Sequence, residues 1–193
     1  MSGFKHKIGN SEVSGDFSKL EKLVENLGKK FYAEIGILGA GGKTEEGGIT
    51  LAGIGAVHEF GTDKAGRGRS TTIPERSFIR MPLETGQDDI ENKIEPRMQE
   101  LIENGDIKGI FELIGIAGEA RVKEAFETSG FGTWPPNSPI TIHGSNWPLI
   151  QAGKELTQKQ KDNEFIKGKG SDQPLIDTGA LRQAITSRVG GNK

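Results

Sequence analysis

The pair His58-Glu59 is the point in the sequence that most resembles a metal or acid–base site. A zincin helix carries a second histidine four residues after the first, so that both side chains lie on one helix face and bind zinc. Thr62 occupies that position here, and the other two histidines, His6 and His143, lie in polar or irregular segments. We therefore expect no metal site, and we interpret His58 as a helix-terminal side chain with local hydrogen bonds.

Other catalytic and cofactor patterns are missing from the sequence. The glycine-rich stretch 36–42 lacks the spacing of a dinucleotide fingerprint, and the chain has no P-loop and no G-x-S-x-G nucleophile elbow. It also has no cysteine, which excludes thiolate metal sites and cysteine nucleophiles. These observations predict a protein that is not an enzyme, with no catalytic residues and no cofactor.

Length and composition favour one domain, or one domain with long arms, in which some apolar surface is buried only against a partner. The chain has 193 residues, of which 33% are hydrophobic and 29 are glycine, so the core is expected to be small for the length. No apolar run approaches the roughly 20 residues that span a bilayer, and the N-terminus lacks the apolar region of a signal peptide. We expect no membrane partner, and the net charge of −2 argues against a generally basic nucleic-acid coat.

Hydrophobic periodicity predicts an α+β fold, in which a small antiparallel sheet packs against several helices. Apolar residues recur at helical spacing in 17–28, 49–60, 86–104 and 106–128, whereas alternation or bracketing prolines indicate strands at 31–38, 74–82 and 183–189. Gly109, Gly115 and Gly118 flatten one face of the longest helix, which favours close packing of a second helix or chain.

Glycine and charge density predict how the chain divides into a core and arms. We expect an N-terminal arm at 1–15, an α+β core at 16–153 with mobile loops at 39–48 and 61–72, a charged exposed arm at 154–172 and a C-terminal segment at 173–193 that returns to the core.

Charge is segregated along the chain. Residues 84–127 carry twelve acidic and five basic side chains, a net charge of −7, whereas residues 61–80 carry a net charge of +3. Opposite charges on two surfaces of one subunit can steer identical copies head to tail into a ring. A solvated helical face is the simpler explanation of the acidic segment.

Three short motifs occur in a fixed order between residues 51 and 185: LAGIGAVHEFGT at 51–62, IPERSFIR at 73–80 and PLIDTGALRQAI at 174–185. Together they resemble the tail-completion, or virion-morphogenesis, family of tailed bacteriophages, which are neck proteins that join head and tail. Ala184 stands where that family usually has serine. The N-terminal 15 residues and the segment 154–172 lie outside the resemblance.

The resemblance implies an α+β subunit of the virion neck that completes the head-proximal end of the tail and carries out no catalysis. Its partners would be further copies of itself in a ring and neighbouring neck, tail-tube or connector proteins, first in the host cytoplasm and then in the virion. The alternatives are a tail terminator ring that caps the tail tube and, less favoured, an interaction module unrelated to phages.

The motif residues are expected to form a structural cluster within or between subunits. Glu59 and Arg76 have opposite charges and flank the same loop, so they can meet, and replacing Phe60 or Phe78 with alanine should cost about 3–5 kcal/mol if the ring is buried within or between subunits. The alternative is an ordinary helix end formed by residues 58–60 with Gly61 as its C-cap, followed by an edge strand that contains Arg76 and Phe78. The candidate assembly residues are His58, Glu59, Phe60, Gly61, Thr62, Pro74, Arg76, Phe78, Arg80, Thr178, Gly179 and Leu181.

The basic loop with Lys64, Arg67 and Arg69 has three possible interpretations. It is a solvated loop, it docks on an acidic neighbour such as the 84–127 face, or it contacts genomic DNA in the neck channel. Lysine and arginine on glycine hinges bind phosphates without regard to sequence, which is the behaviour that a DNA channel needs.

Overall fold

The structure, a computed structural model, describes residues 3–8, 11–16, 18–39, 48–66, 68–158, 168–175 and 179–192. Within these ranges the helices are α1 (Ser18–Leu27), α2 (Leu51–Phe60), α3 (Arg80–Thr85), α4 (Gln87–Glu103), α5 (Ile107–Glu127), α6 (Pro139–His143), α7 (Trp147–Gln151) and α8 (Ala180–Gln183). The strands are β1 (Gly3–Ile8), β2 (Ser11–Asp16), β3 (Lys30–Ile37), β4 (Thr62–Ala65), β5 (Thr71–Ile73) and β6 (Ile185–Asn192). The α+β class predicted from the sequence is confirmed.

Strands β3 and β6 form the antiparallel sheet at the centre of the fold. Their register places Ala33 opposite Val189, Ile35 opposite Ser187 and Ile37 opposite Ile185. The predicted strands at 31–38 and 183–189 are therefore confirmed, and they pair with each other although more than 140 residues separate them.

Helix α5 packs across this sheet through its glycines. A Cβ added at Gly115 would lie 3.3 Å from Ser187 Cβ, and one added at Gly118 would overlap Ile35 Cδ1. The flat face was expected to receive a second helix or chain, but it receives the chain's own sheet. Glycine is needed here because the helix backbone approaches the strands so closely.

The apolar core lies where the second half of α5 meets the sheet, α2 and the segment before α3. Val122, Ala125 and Phe126 are fully buried there together with Phe78 and Ile185. Three aromatic side chains, Phe78, Phe126 and Trp134, belong to this core together with aliphatic residues.

The segment 74–82, predicted as an edge strand, is not one. Strand β5 ends at Ile73, the following residues have no regular structure, and helix α3 begins at Arg80. The backbone N–H groups that a strand would place in a ladder are bound instead by a side chain from α2, described below. Pro82 is compatible with α3 because the first turn of a helix does not use its N–H groups.

Two segments predicted as irregular contain hairpins. Residues 61–72 include the antiparallel pair β4–β5, in which Thr62 lies opposite Ile73 and Ala65 opposite Thr71. The predicted N-terminal arm contains the pair β1–β2, with Ile8 opposite Ser11. Sequence periodicity missed both because each strand is short and polar.

The predicted charged arm at 154–172 is bound to α6 at its far end. Lys169 N donates to Thr141 O at 2.8 Å and Gly170 N donates to Ile142 O at 2.9 Å. Residues 168–172 are thus held through backbone atoms, which side-chain composition does not reveal. Residues 159–167, and 40–47 of the predicted loop 39–48, lie outside the described part of the chain.

Candidate functional site

The carboxylate of Glu59, in the last turn of α2, holds the start of α3. It accepts hydrogen bonds from Ser77 Oγ at 2.7 Å and from three backbone amides: Phe78 N at 2.8 Å, Ile79 N at 2.9 Å and Arg80 N at 3.0 Å. Glu59 is only 6% exposed. Its negative charge also lies against the positive end of the α3 dipole, where an anion is favourable.

Backbone and hydroxyl groups complete this connection between the first two motifs. Arg76 N donates to His58 O at 2.7 Å, and Ser77 Oγ accepts from Met81 N at 3.0 Å. We call Glu59, Ser77 and the amides of residues 78–80 the carboxylate clamp. It joins residues that lie 18 to 21 positions apart in the chain.

Arg76 does not pair with Glu59, so that expectation is wrong. Its Nε and Nη2 donate to the carbonyl oxygens of Pro135 and Pro136, each at 2.9 Å. The Glu59 oxygens are already bonded to the α3 amides, and the buried guanidinium takes backbone carbonyls instead. Burial lowers the pKa of Arg76 because it disfavours the charged form.

Phe78, in the second motif, is the centre of the aromatic core. Its ring is fully buried and contacts Phe126 edge-on with centroids 5.2 Å apart, and Phe126 contacts Trp134 at 5.8 Å. Trp134 Nε1 donates to Ser77 O at 3.2 Å, so the indole also binds the clamp segment. The predicted burial of Phe78 is confirmed.

Gly55 is the point at which all three motifs meet. A Cβ placed on it would lie 3.5 Å from Phe78 Cζ and from Leu181 Cδ1, and 2.7 Å from Ile37 Cδ1. Leu181 of the third motif is buried, and Gly179 before it adopts the left-handed φ of 71° that glycine tolerates. Thr178, a candidate residue of the same motif, lies outside the described residues.

Phe60 is exposed, so it is not part of a buried cluster within this chain. It ends α2 with 64% of its surface accessible, and the Arg80 guanidinium lies 5.6 Å from its ring centroid. Arg80 also pairs with Glu75 at 2.6 Å. An aromatic ring and a charged group therefore stand together on the surface beside the carboxylate clamp.

Gly61 ends α2, as the sequence predicted. Its φ is 68°, and a Cβ would lie 2.7 Å from Glu75 N, so both conformation and space require glycine. Thr62 begins β4, and its Oγ1 accepts from Lys64 N at 3.2 Å. Together these residues turn the chain from α2 into the β4–β5 hairpin.

The basic loop residues lie on the β4–β5 hairpin. Lys64 and Arg69 are exposed, and neither side chain forms an ion pair within the described residues. Arg69 closes the turn through its N–H, which donates to Gly66 O at 3.1 Å. Arg67 lies outside the described part. Lys64 and Arg69 are thus presented to solvent and form no ion pair with the described residues of the 84–127 face.

A cavity of about 460 Å³ lies on the other side of the first two motifs. Its lining residues come from α2, β5, α6, α8 and the segments between them: Leu51, Ile54, His58, Thr71, Thr72, Ile73, Pro74, Arg76, Pro136, Asn137, Ser138, Thr141, Lys169, Gln173, Leu175, Gly179, Ala180 and Leu181. This volume is within the range of about 300–1,000 Å³ usual for small-molecule sites.

His58 lines this cavity and is held in its neutral form. Burial, then the charges of Arg76 and Lys169, lower the pKa of its imidazole from 6.5 to about 4. Its Nδ1 is buried and has no hydrogen-bond partner among the described residues. The local hydrogen bonds expected for this side chain are therefore absent at that nitrogen.

Sequence reasoning missed the partners that complete the site. Pro135 and Pro136 bind Arg76 through backbone carbonyls, which carry no side-chain signal. Asn137 donates to the carbonyls of Ser171 and Gln173 at 3.2 and 3.0 Å, which closes the far wall of the cavity. Trp134 was the available signal, because a large aromatic side chain is usually well buried.

Among the residues that the structure describes, no three His, Asp or Glu side chains are grouped so that they could hold a metal ion, and no helix is long and apolar enough to cross a membrane. Comparisons of the chain with models of known protein families, with curated proteins and with solved structures found no match. The case for a function therefore depends on the motifs and on the geometry that connects them.

Proposed function

We propose that the chain is a structural protein of the tailed-phage neck, which completes the head-proximal end of the tail and helps to join it to the head. The observation that carries this proposal is the convergence of the three motifs. Glu59 from the first motif binds the backbone of the second. Leu181 from the third motif and Phe78 from the second both lie next to Gly55 of the first. Residues that resemble one family thus act as one packing unit.

The roles of these residues suit a scaffold. The charged groups of the motifs are used to position backbone: Glu59 binds amides and Arg76 binds carbonyls. Neither side chain forms a nucleophile–base pair of the catalytic kind with another side chain. A unit of this kind fixes the angle between α2, the hairpin and α3, and so the shape of a subunit surface.

The described surface offers groups for assembly with further copies. Large apolar side chains exposed in the structure include Phe60, Ile102 and Ile116. Ile102 and Ile116 lie within the strongly acidic 84–127 segment, whereas Phe60 and Arg80 adjoin the basic hairpin. An interface between unlike surfaces of identical subunits produces a ring when the rotation closes.

Under this proposal the basic hairpin can serve in one of two contacts. Exposed Lys64 and Arg69 can dock on the acidic face of a neighbouring subunit, or they can line the channel and contact DNA phosphates. Replacement of Lys64 and Arg69 by serine separates the two. Loss of assembled particles supports docking, and normal assembly with poor genome retention supports DNA contact.

The test is the position of the chain in tailed particles from the source of this sequence. Particles are purified on a density gradient, their proteins are identified by mass spectrometry, and the neck is reconstructed by cryo-electron microscopy. We expect a ring of this fold between the head connector and the tail tube. Absence of the chain from particles would contradict the proposal, and a ring placed directly on the last tail-tube ring would replace it with the tail-terminator alternative.

A further inference from the structure

We propose that the cavity beside His58 and Arg76 binds a small organic anion whose carboxylate is carried on an apolar chain. The inference goes beyond the proposed neck function and does not depend on it. It is based on the charge of the cavity wall, on the Arg76 Nη1 donor left unpaired among the described residues, and on the apolar residues next to them.

The wall of the cavity is electropositive. The cationic side chains of Arg76 and Lys169 line it, and none of its described lining residues is acidic. Arg76 is only 5% exposed, and no carboxylate of the described chain lies within ion-pair distance of it. A buried guanidinium held only by carbonyl dipoles is costly to desolvate, and an anion in the cavity would offset that cost.

Arg76 also has a donor left for such an anion. Its Nε and Nη2 are fixed by Pro135 and Pro136, while Nη1 forms no hydrogen bond to the described residues. The two carbonyl bonds hold the guanidinium plane in place. A ligand would therefore meet a preorganised donor, which reduces the ordering cost of binding.

His58 lines the same cavity and senses the charge inside it. Its Nδ1 is buried, so the imidazole responds to the field of a bound anion and is not a donor to it. The anion's charge would counter the effect of Arg76 and Lys169 on the imidazole, so that bound ligand raises the pKa of His58.

Apolar side chains lie next to these basic groups. Leu51 and Ile54 precede His58 by seven and four residues on the same face of α2, and Leu175 and Leu181 also line the cavity. A bare inorganic anion would leave this apolar surface wet. A carboxylate on an aliphatic chain satisfies both parts of the wall.

The experiment measures binding of hexanoate to the full chain by calorimetry, with the His58 ring followed by NMR. We expect saturable binding and a pKa for His58 that rises from about 4 towards 6.5. Hexylammonium, with the same chain and the opposite charge, should not bind, and inorganic phosphate should bind at least about tenfold more weakly. Absence of saturable hexanoate binding, or equal binding of hexylammonium or phosphate, would overturn the proposal.

N-acetylleucine distinguishes a free acid from the carboxyl end of a peptide as the source of the carboxylate. Tighter binding than hexanoate supports a peptide carboxyl end, and weaker binding supports a small free acid. Both outcomes support a carboxylate on an apolar chain, which is the chemistry proposed.

A matched pair of variants locates the ligand without disturbing the core. Thr72 lines the cavity from β5 and is exposed, so the chain should accept a polar side chain there. Thr72→Glu places a negative charge at the site, and we expect it to weaken hexanoate binding about tenfold or more relative to the isosteric Thr72→Gln. Equal affinities of the two variants, both confirmed as folded by circular dichroism, would show that hexanoate binds elsewhere.

Discussion

At the scale of single residues, Glu59 is a buried carboxylate whose charge is balanced by neutral donors. One hydroxyl and three backbone amides bind its two oxygens. Bonds from several N–H groups to a carboxylate are stronger than bonds between neutral partners. Glu59 therefore fixes the position at which α3 begins after β5.

Glu59→Gln should lower the free energy of unfolding by about 2–4 kcal/mol. In either orientation the amide nitrogen of glutamine would face at least one backbone N–H and could not accept its bond. Urea denaturation measures the loss. Glu75→Gln is the matched control, because Glu75 is exposed and its pair with Arg80 should contribute only about 0–1 kcal/mol. Equal effects of the two substitutions would contradict the role of Glu59 as a clamp.

His58 should make stability depend on pH below neutrality. The folded protein holds its pKa at about 4, below the ordinary 6.5, so protonation favours the unfolded chain. The contribution is fully present above pH 6.5 and is lost as the pH falls towards 4. Allowing for partial solvent screening, we expect a loss of about 2 kcal/mol over that range.

Chemical denaturation of wild type and His58→Gln between pH 7 and pH 4 tests this pH dependence. The variant should lose less stability than the wild type as the pH falls, since its side chain does not titrate. His143→Gln, at an exposed position, controls for removal of a histidine elsewhere. Parallel stability curves for wild type and His58→Gln would exclude His58 as the source.

At the scale of elements, the contact between α5 and the β3–β6 sheet determines the thickness of the core. Gly115 and Gly118 bring the helix backbone close to Ala33, Ile35 and Ser187. The two glycines contribute no side-chain packing area of their own. They let the helix lie close to the sheet, so that Val122 and Phe126 are buried in the core.

Gly118→Val should destabilise the fold by about 1–3 kcal/mol, because its side chain would overlap Ile35 and force the helix away from the sheet. Ala120→Val, on the exposed face of the same helix, introduces the same side chain and should change the free energy of unfolding by less than about 0.7 kcal/mol. Thermal melts of both variants compare them. A Gly118→Val variant as stable as the control would contradict the close approach.

The elements that the sequence predicted are those formed by local pattern. The apolar stripe of α5 and the alternation in β3 lie within one stretch of chain, and both were found. The segment 74–82 was wrongly predicted because its amides bind Glu59, which is 19 to 21 residues earlier. The hydrophobic periodicity of the segment contains no information about a hydrogen-bond partner elsewhere in the chain.

The candidate site was predicted in part, for a similar reason. Phe78 is buried and Gly61 caps α2, since both follow from local chemistry. Opposite charge suggested that Glu59 pairs with Arg76, but each is satisfied by backbone, which opposite-charge matching does not consider. The cavity could not be predicted, because its walls come from segments more than 100 residues apart.

At the scale of the whole molecule, several large apolar side chains lie on the described surface. Phe60 and Ile116 are both more than 60% exposed. Single exposed apolar residues are ordinary, but an aromatic ring under a guanidinium resembles the residues that dominate protein interfaces. Phe60 with Arg80 is therefore the place where assembly is most open to test.

Phe60→Ala should separate folding from assembly. Because the ring is 64% exposed, we expect its loss to change the free energy of unfolding by less than about 1 kcal/mol, whereas Phe78→Ala should cost about 3–5 kcal/mol. Under the proposed function, the Phe60→Ala chain remains folded but yields few joined particles. The measurement is the titre of infectious particles alongside the melting temperature of the purified chain.

The conservative variant completes this test of assembly. Phe60→Tyr keeps an aromatic ring for the Arg80 guanidinium, 5.6 Å away, and should restore most of the titre, since guanidinium–ring attraction persists in tyrosine. Loss of titre in Phe60→Ala with recovery in Phe60→Tyr would assign the ring to an interface between subunits. A normal titre of Phe60→Ala would exclude that role, because assembly would then not depend on the Phe60 ring.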